Sequence, residues 1–228
     1  MPKTIDHSDS ATRQHLLQAA LKSFASRGYA ATSVRHIVDA ARVSKPVLYY
    51  YFKDKAAIFE ALVDQAHDER YQLMRQAAEL GTNMAGKLEE IVAAIFEFSL
   101  RNSELMRLAF ATAFTTSGEA PSAMKCREKG RRNFEFIRML IQDGQAAGEL
   151  DRRFSLDELT MGIFGQLNTY VMIRLLTPEC PLDRQAAKQI VRLFLEGAAA
   201  PRKRGRGVRA PSPQNSNARL LPSTPFRS

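Results

Sequence analysis

From Lys45 to Lys55 the chain reads KPVLYYYFKDK, which crowds lysine ammonium groups, tyrosine hydroxyls and the apolar pair Pro46 and Val47 into one short stretch. Ammonium and hydroxyl hydrogens donate to anionic oxygens, and apolar side chains can lie against base edges. If Leu48 and Phe52 face a core, Lys45, Pro46, Val47, Tyr49 and Tyr50 remain outside, with Lys53 and Lys55 just beyond. Tyr51 shares the inward spacing of Leu48, so packing and phosphate contact both stay open for it. Pro46 has two readings as well, contact with a thymine methyl or stiffening of a helix start. Enzyme chemistry has no comparable cluster. There is no phosphate loop, nucleophile elbow or metal-ligand spacing; His7, His15, His36 and His67 are dispersed, and Cys126 and Cys180 stand far apart. No catalytic residue, metal or cofactor is expected.

Helical periodicity supplies the elements that position this stretch. In a first helix, Ala11 to Arg27, the residues Leu17, Ala20, Leu21 and Phe24 fall at i, i+3, i+4 and i+7 and form one apolar stripe. Gly28 is expected to end it in a left-handed conformation, with Tyr29 folding back as the apolar partner of the cap. A second helix, Ser33 to Ala41, has Thr32 or Ser33 as cap and Val34, Ile37, Val38 and Ala41 as its stripe. Ser44 is placed to cap a third, Lys45 to Tyr51, in which Pro46 does no harm because first-turn amides have no intrahelical partner. Two helices this short are unstable alone and must pack on the first. The result is a helix-turn-helix on a three-helix core whose third helix is offered to DNA, amino end toward the major groove.

The segment TSVRHIVDAARVSKPVLYYYFKDK, from Thr32 to Lys55, resembles the signature of the tetracycline-repressor (TetR) family, and LLQAALKSFASRGY from Leu16 to Tyr29 is similar to that family's first helix. The shared features are the Gly-Tyr after the first helix, the Thr-Ser start of the second, Val-Ser before the third, Leu-Tyr-x-x-Phe within it, and Lys55. The resemblance implies a homodimeric regulator with an amino-terminal DNA-binding domain and a helical carboxy-terminal domain for dimerisation and, often, small-molecule sensing. It implies base-edge contacts for Lys45, Pro46 and Val47, and phosphate contacts for Thr32, Ser33, Tyr49, Tyr50, Tyr51 and Lys55, with Arg35 and His36 nearby. Two positions depart from the family pattern. Arg42 stands where glycine is usual in the turn, so a residue with a side chain is expected at positive φ, at a cost of about 1 kcal/mol. Tyr51 replaces a frequent histidine.

Beyond Lys55 the pattern stays helical, with further helices at Lys55 to Ala78, Gly86 to Arg101, Glu104 to Phe114, Ser122 to Ala147, Leu156 to Leu176 and Asp183 to Gly197. The fold class is all-α. Its phenylalanines and methionines read first as hydrophobic core, although adaptable methionines among phenylalanines also suit an apolar ligand cavity. For that cavity, which the family resemblance brings forward, the candidate residues are Phe96, Phe110, Phe114, Phe134 and Asn168. The resemblance also makes the last two long helices a four-helix dimer interface. Gly162 and Gly165 would admit a partner helix, and Leu159, Ile163, Gln166 and Tyr170 would continue the face.

Charge divides the chain in the same way. Nine Lys and Arg face four Asp and Glu from Met1 to Lys55, 17 face 20 from Ala56 to Ala200, and seven face none from Pro201 to Ser228. The expected organisation is a flexible arm over 1–9, a DNA-binding domain over 10–55, an effector-binding and dimerisation domain over 56–200 and a disordered basic tail over 201–228. No apolar run is long enough to cross a bilayer and no signal core follows Met1, so a reduced cytoplasmic location is expected. The leading expectation is a homodimeric regulator, as a repressor, that leaves a palindromic operator when a small apolar or amphipathic effector binds. An architectural protein that coats DNA without an effector is the alternative, favoured by the tail.

Overall fold

The computed structural model describes residues 7–113 and 123–198. Within them the chain forms nine helices and no strand: α1 (His7–Ala31), α2 (Val34–Ala41), α3 (Lys45–Tyr51), α4 (Lys55–Leu80), α5 (Met84–Arg101), α6 (Ser103–Ala113), α7 (Ala123–Ala146), α8 (Leu156–Leu176) and α9 (Arg184–Ala198). Several begin where a short polar side chain can accept from a first-turn amide. Asp54 accepts from Ala57 at the start of α4, Asn83 from Gly86 at the start of α5, and Ser155 from Glu158 at the start of α8, where Glu158 answers in a capping box. Residues 7–9, expected in a flexible arm, are the first residues of α1. Phe114 and the basic tail over 201–228 lie outside the described residues.

The head is built as the apolar stripes require. Leu16, Leu17, Ala20 and Phe24 of α1 meet Ile37, Val38 and Ala41 of α2 and Leu48 of α3, and all are buried. Gly28 has φ 79° and ψ 163°, a positive φ with an extended ψ, which is outside the left-handed helical well and is reached cheaply by glycine alone. It therefore kinks α1 rather than ending it. The kink turns Tyr29 back onto Phe24 and Phe59, with ring centroids 5.6 and 4.7 Å away, so the cap contact expected for Tyr29 becomes a three-ring cluster at the root of α4. From there α4 runs into the body, packing on α5, α7, α6 and α1, while α5 packs on α9, α7 on α8 and α8 on α9. Head and body are joined both by α4 itself and by α6 lying on α1.

Candidate nucleic-acid interface

The turn between α2 and α3 determines where α3 points. Ser33 caps α2 by accepting from the His36 amide at 3.2 Å, and His36 Nδ1 accepts from the Ser33 amide at 3.3 Å. Because Oγ of Ser33 is the acceptor here, its own hydrogen is left to point outward. Arg35 is exposed and pairs only at 3.8 Å with Asp39, a surface ion pair of little worth. Arg42 adopts φ 52° and ψ 42°, and among the described residues it is the one non-glycine residue at positive φ. Replacing it by glycine removes a left-handed penalty of about 1–2 kcal/mol and adds unfolded-chain entropy worth about 0.5–1 kcal/mol. Arg42→Gly is thus expected to be more stable by about 0.5 kcal/mol, read as a raised urea midpoint with unchanged slope.

On α3 the buried and free residues alternate as a short amphipathic helix demands. Leu48 is fully buried and holds the stub to the head, while Lys45 and Pro46 are exposed and Val47 is half-buried. Tyr49 and Tyr50 are 51% and 70% exposed, unusual for large rings that have a core within reach. Ser44 takes the N-cap position without a capping bond from its side chain, contrary to the role expected of it. Tyr51 is half-buried, and its hydroxyl donates to Asp9 near the start of α1. That bond ties the end of α3 to α1 and takes the phenolic hydrogen that a phosphate would need, so packing wins over phosphate contact at this position.

Two residues expected to hold phosphates are turned inward. Thr32 is 1% exposed, and its hydroxyl lies 2.7 Å from the Gly28 carbonyl and 3.1 Å from that of Ser23, so it satisfies the kink of α1 and has no donor left for DNA. Lys55 Nζ donates to the carbonyls of Tyr29 at 2.8 Å and Thr32 at 2.7 Å, reaches that of Ala30 at 3.5 Å, and lies 4.3 Å from the centre of the Tyr29 ring. Partial burial lowers its pKa from the ordinary lysine value. This lysine satisfies carbonyls left open where α1 ends. The outward set is therefore Lys45, Pro46, Val47, Tyr49 and Tyr50 of α3, with Ser33 and Arg35 at the start of α2.

The residues expected to line an effector cavity are brought together only in part. Phe96 is fully buried in α5 and stacks on Tyr170 of α8 at 6.2 Å. Phe134 of α7 meets Phe164 of α8 edge-on at 5.6 Å, and Phe110 is partly buried on α6. Asn168 accepts from Arg70 Nη2 at 2.9 Å and donates to the Phe164 carbonyl at 2.7 Å. Arg70 is not among the residues expected there. Its signal was its phase, since it continues the buried line Leu62, Ala66, Arg70, Met74 along α4.

Apart from Gly165, the face of α8 expected to meet a second subunit belongs to the protomer's own core. Leu159 and Ile163 are buried, Tyr170 lies on Phe96, and a Cβ on Gly162 would lie 3.5 Å from Phe194 of α9. The free apolar line on α8 is instead Met161, Gly165, Ile173 and Leu176, with Leu193 exposed on α9; a Cβ on Gly165 would meet nothing within 4 Å. Burial of Leu159, Ile163, Leu167 and Val171 fixes the rotation of α8 and so sends Gly165 outward.

Comparison with known proteins agrees with this geometry. The family model described as bacterial regulatory proteins, tetR family, matches residues 16–62. The HTH-type transcriptional activator FasR of Mycolicibacterium smegmatis is 34% identical over 113 residues, covering 50% of this chain and 52% of that protein, so the chain spans about half the length of this relative. The HTH-type transcriptional repressor KstR2 of the same organism is 26% identical over 186 residues, covering 81% of this chain and 89% of the relative. Among solved structures, the fatty acid degradation regulator FadR from Bacillus halodurans superposes with a TM-score of 0.70 at 21% identity, over 80% of this chain and 94% of its own. The fold over about four-fifths of the chain is thus shared with that structure. No helix among the described residues is long and apolar enough to cross a membrane.

Proposed function

We propose that this chain is a DNA-binding transcriptional regulator of the TetR family that acts as a repressor, binding a palindromic operator as a homodimer and leaving it when a small apolar or amphipathic effector enters the helical body; the match of its residues 16–62 to the model of that family supports the reading. One observation carries the DNA-facing part. A stub pinned by the buried Leu48 presents Lys45, Tyr49 and Tyr50 to solvent, beside the free hydroxyl hydrogen of Ser33. In the groove, Lys45, Pro46 and Val47 address base edges, while Ser33, Arg35, Tyr49 and Tyr50 hold phosphates on either side. A single stub reads few bases. The line Met161, Gly165, Ile173 and Leu176 with Leu193 supports pairing of two subunits, which doubles the contact on half-sites about one helical turn apart.

Release follows if the effector prefers a dimer whose stubs are mis-spaced for the operator; equal affinity for both forms would shift nothing. The relatives include an activator and a repressor, and the sense of control proposed here rests on release as the simplest outcome of that shift. A titration tests the core of the reading: DNA selected from random duplexes should bind at least about a thousandfold more tightly than unselected DNA at physiological salt. Near-equal affinities would favour the coating role instead. Within that assay Tyr49→Phe should weaken all duplexes alike, about fivefold for one lost phosphate bond. Lys45→Ala should weaken the selected site about tenfold or more and change the preferred base. A uniform loss from Lys45→Ala across a panel of operator variants would remove it from base reading.

A further inference from the structure

The interior of the body holds a cation that no acid among the described residues answers. Arg70 of α4 is 8% exposed; one guanidinium nitrogen donates to Asn168 of α8, the plane lies 5.3 Å from the centre of the Phe164 ring, and Nε has no partner. The nearby acids are engaged elsewhere. Asp68 takes Lys129 at 2.9 Å and Arg132 at 2.7 Å, and Asp64 takes Lys129 at 3.3 Å. Burial lowers the Arg70 pKa to about 10, which leaves the guanidinium charged at neutral pH. A buried charge answered only by an amide and a ring is strongly disfavoured unless something brings the opposite charge.

Resting on the effector reading above, we propose that Arg70 is the group that recognises the effector, and that the effector is an apolar monocarboxylate. Nε–H beside a terminal N–H offers the parallel donor pair that a carboxylate takes through both oxygens. Phe164 is the apolar ring beside it, and Phe134 packs edge-on against Phe164. The charge count selects a monoanion. Lys129 is already paired, and His67, one turn away on α4, is held neutral by burial and by Arg70, so a dianionic phosphate would leave a second negative charge buried without a partner.

The test is thermal stabilisation of the full chain by linear and arylalkyl carboxylates, from butyrate to stearate and benzoate to phenylbutyrate, each against its matched primary alcohol and alkyl phosphate. At least one carboxylate should bind about tenfold or more tightly than its alcohol and its phosphate. Arg70→Gln should abolish that preference and Arg70→Lys should restore part of it. Should the Arg70 variants fail to fold, Asn168→Asp decides, because a carboxylate built in beside Arg70 should stabilise the ligand-free chain and eliminate the preference. Equal binding of carboxylates and alcohols by the unsubstituted chain, or a preference that survives Arg70→Gln or Asn168→Asp, overturns the proposal. Alcohols that release DNA with no carboxylate preference would overturn the role of Arg70 alone, and the effector reading would stand.

Discussion

Lys55→Ala is expected to destabilise the head by about 2 kcal/mol while leaving the salt dependence of DNA binding unchanged. The ammonium hydrogens go to carbonyls at the end of α1, and the same group lies over the Tyr29 ring. Charge-assisted hydrogen bonds are each worth about 1.5–3 kcal/mol when their partners are desolvated, and partial exposure of this lysine discounts the sum to the lower end. In a chain of this size the loss appears as a melting point lower by about 4–8 °C. A lysine on a phosphate behaves differently, because its removal lowers the log–log salt slope by about one and leaves thermal stability nearly intact. Lys55→Met separates the apolar stem from the charge and should recover only a minor part of the loss. An unchanged melting point with a reduced salt slope would return Lys55 to the phosphate-binding set.

That reassignment shows where the sequence is legible. Helix starts are written locally: Ser33 with His36 and Ser155 with Glu158 each lie three residues apart, whereas α5, expected from Gly86, starts at Met84 behind the Asn83 cap. The phase of α3 is equally local, because Leu48 must face inward and Tyr49 and Tyr50 then cannot. Arg42 is visible through the family resemblance, as a residue with a side chain where the turn usually has glycine. What failed to show is long-range. Lys55 reaches back to Tyr29 and Thr32, Tyr51 reaches back to Asp9, and Arg70 reaches forward to Asn168, and no periodicity encodes such partners.

The orientation of α8 was hidden for a different physical reason. Its apolar residues surround the helix, with Leu159, Ile163, Leu167 and Val171 on one side and Met161, Ile173 and Leu176 on the other, so no polar stripe marks the outside. A helix of that kind has two apolar contacts to satisfy. The protomer supplies one of them, through α7 and α9. The chosen side follows from shape: Phe194 already fills the space beside Gly162, whereas Gly165 opens on nothing. On the pairing proposed above, a bulky residue at Gly165 should therefore disturb subunit pairing before it disturbs the protomer, while at Gly162 the order should reverse.

Acid should weaken this protein in two separable steps, the first of them governed by His67. The imidazole sits between α4 and α7, its pKa lowered to about 4, first by burial and then by the positive charges of Arg70, Lys129 and Arg132, against which Asp64 acts in the opposite direction. The unfolded chain binds this proton near pH 6.5 and the folded chain does not until about pH 4, so the unfolded state takes up more protons throughout that interval. Stability is complete above pH 6.5 and falls as pH drops toward 4, by about 3 kcal/mol over the full interval. Asp68 works in a lower window: its carboxylate, held below its usual pKa by Lys129 and Arg132 despite partial burial, loses its contribution only as pH falls below about 4. Urea titrations between pH 7.5 and 4.5 should show the first loss without the second, and His67→Gln should flatten that part of the profile. An imidazole that titrates near pH 6.5 in the folded protein by NMR, or a His67→Gln profile as steep as the original, would show that the ring is solvated and that the acid response originates elsewhere.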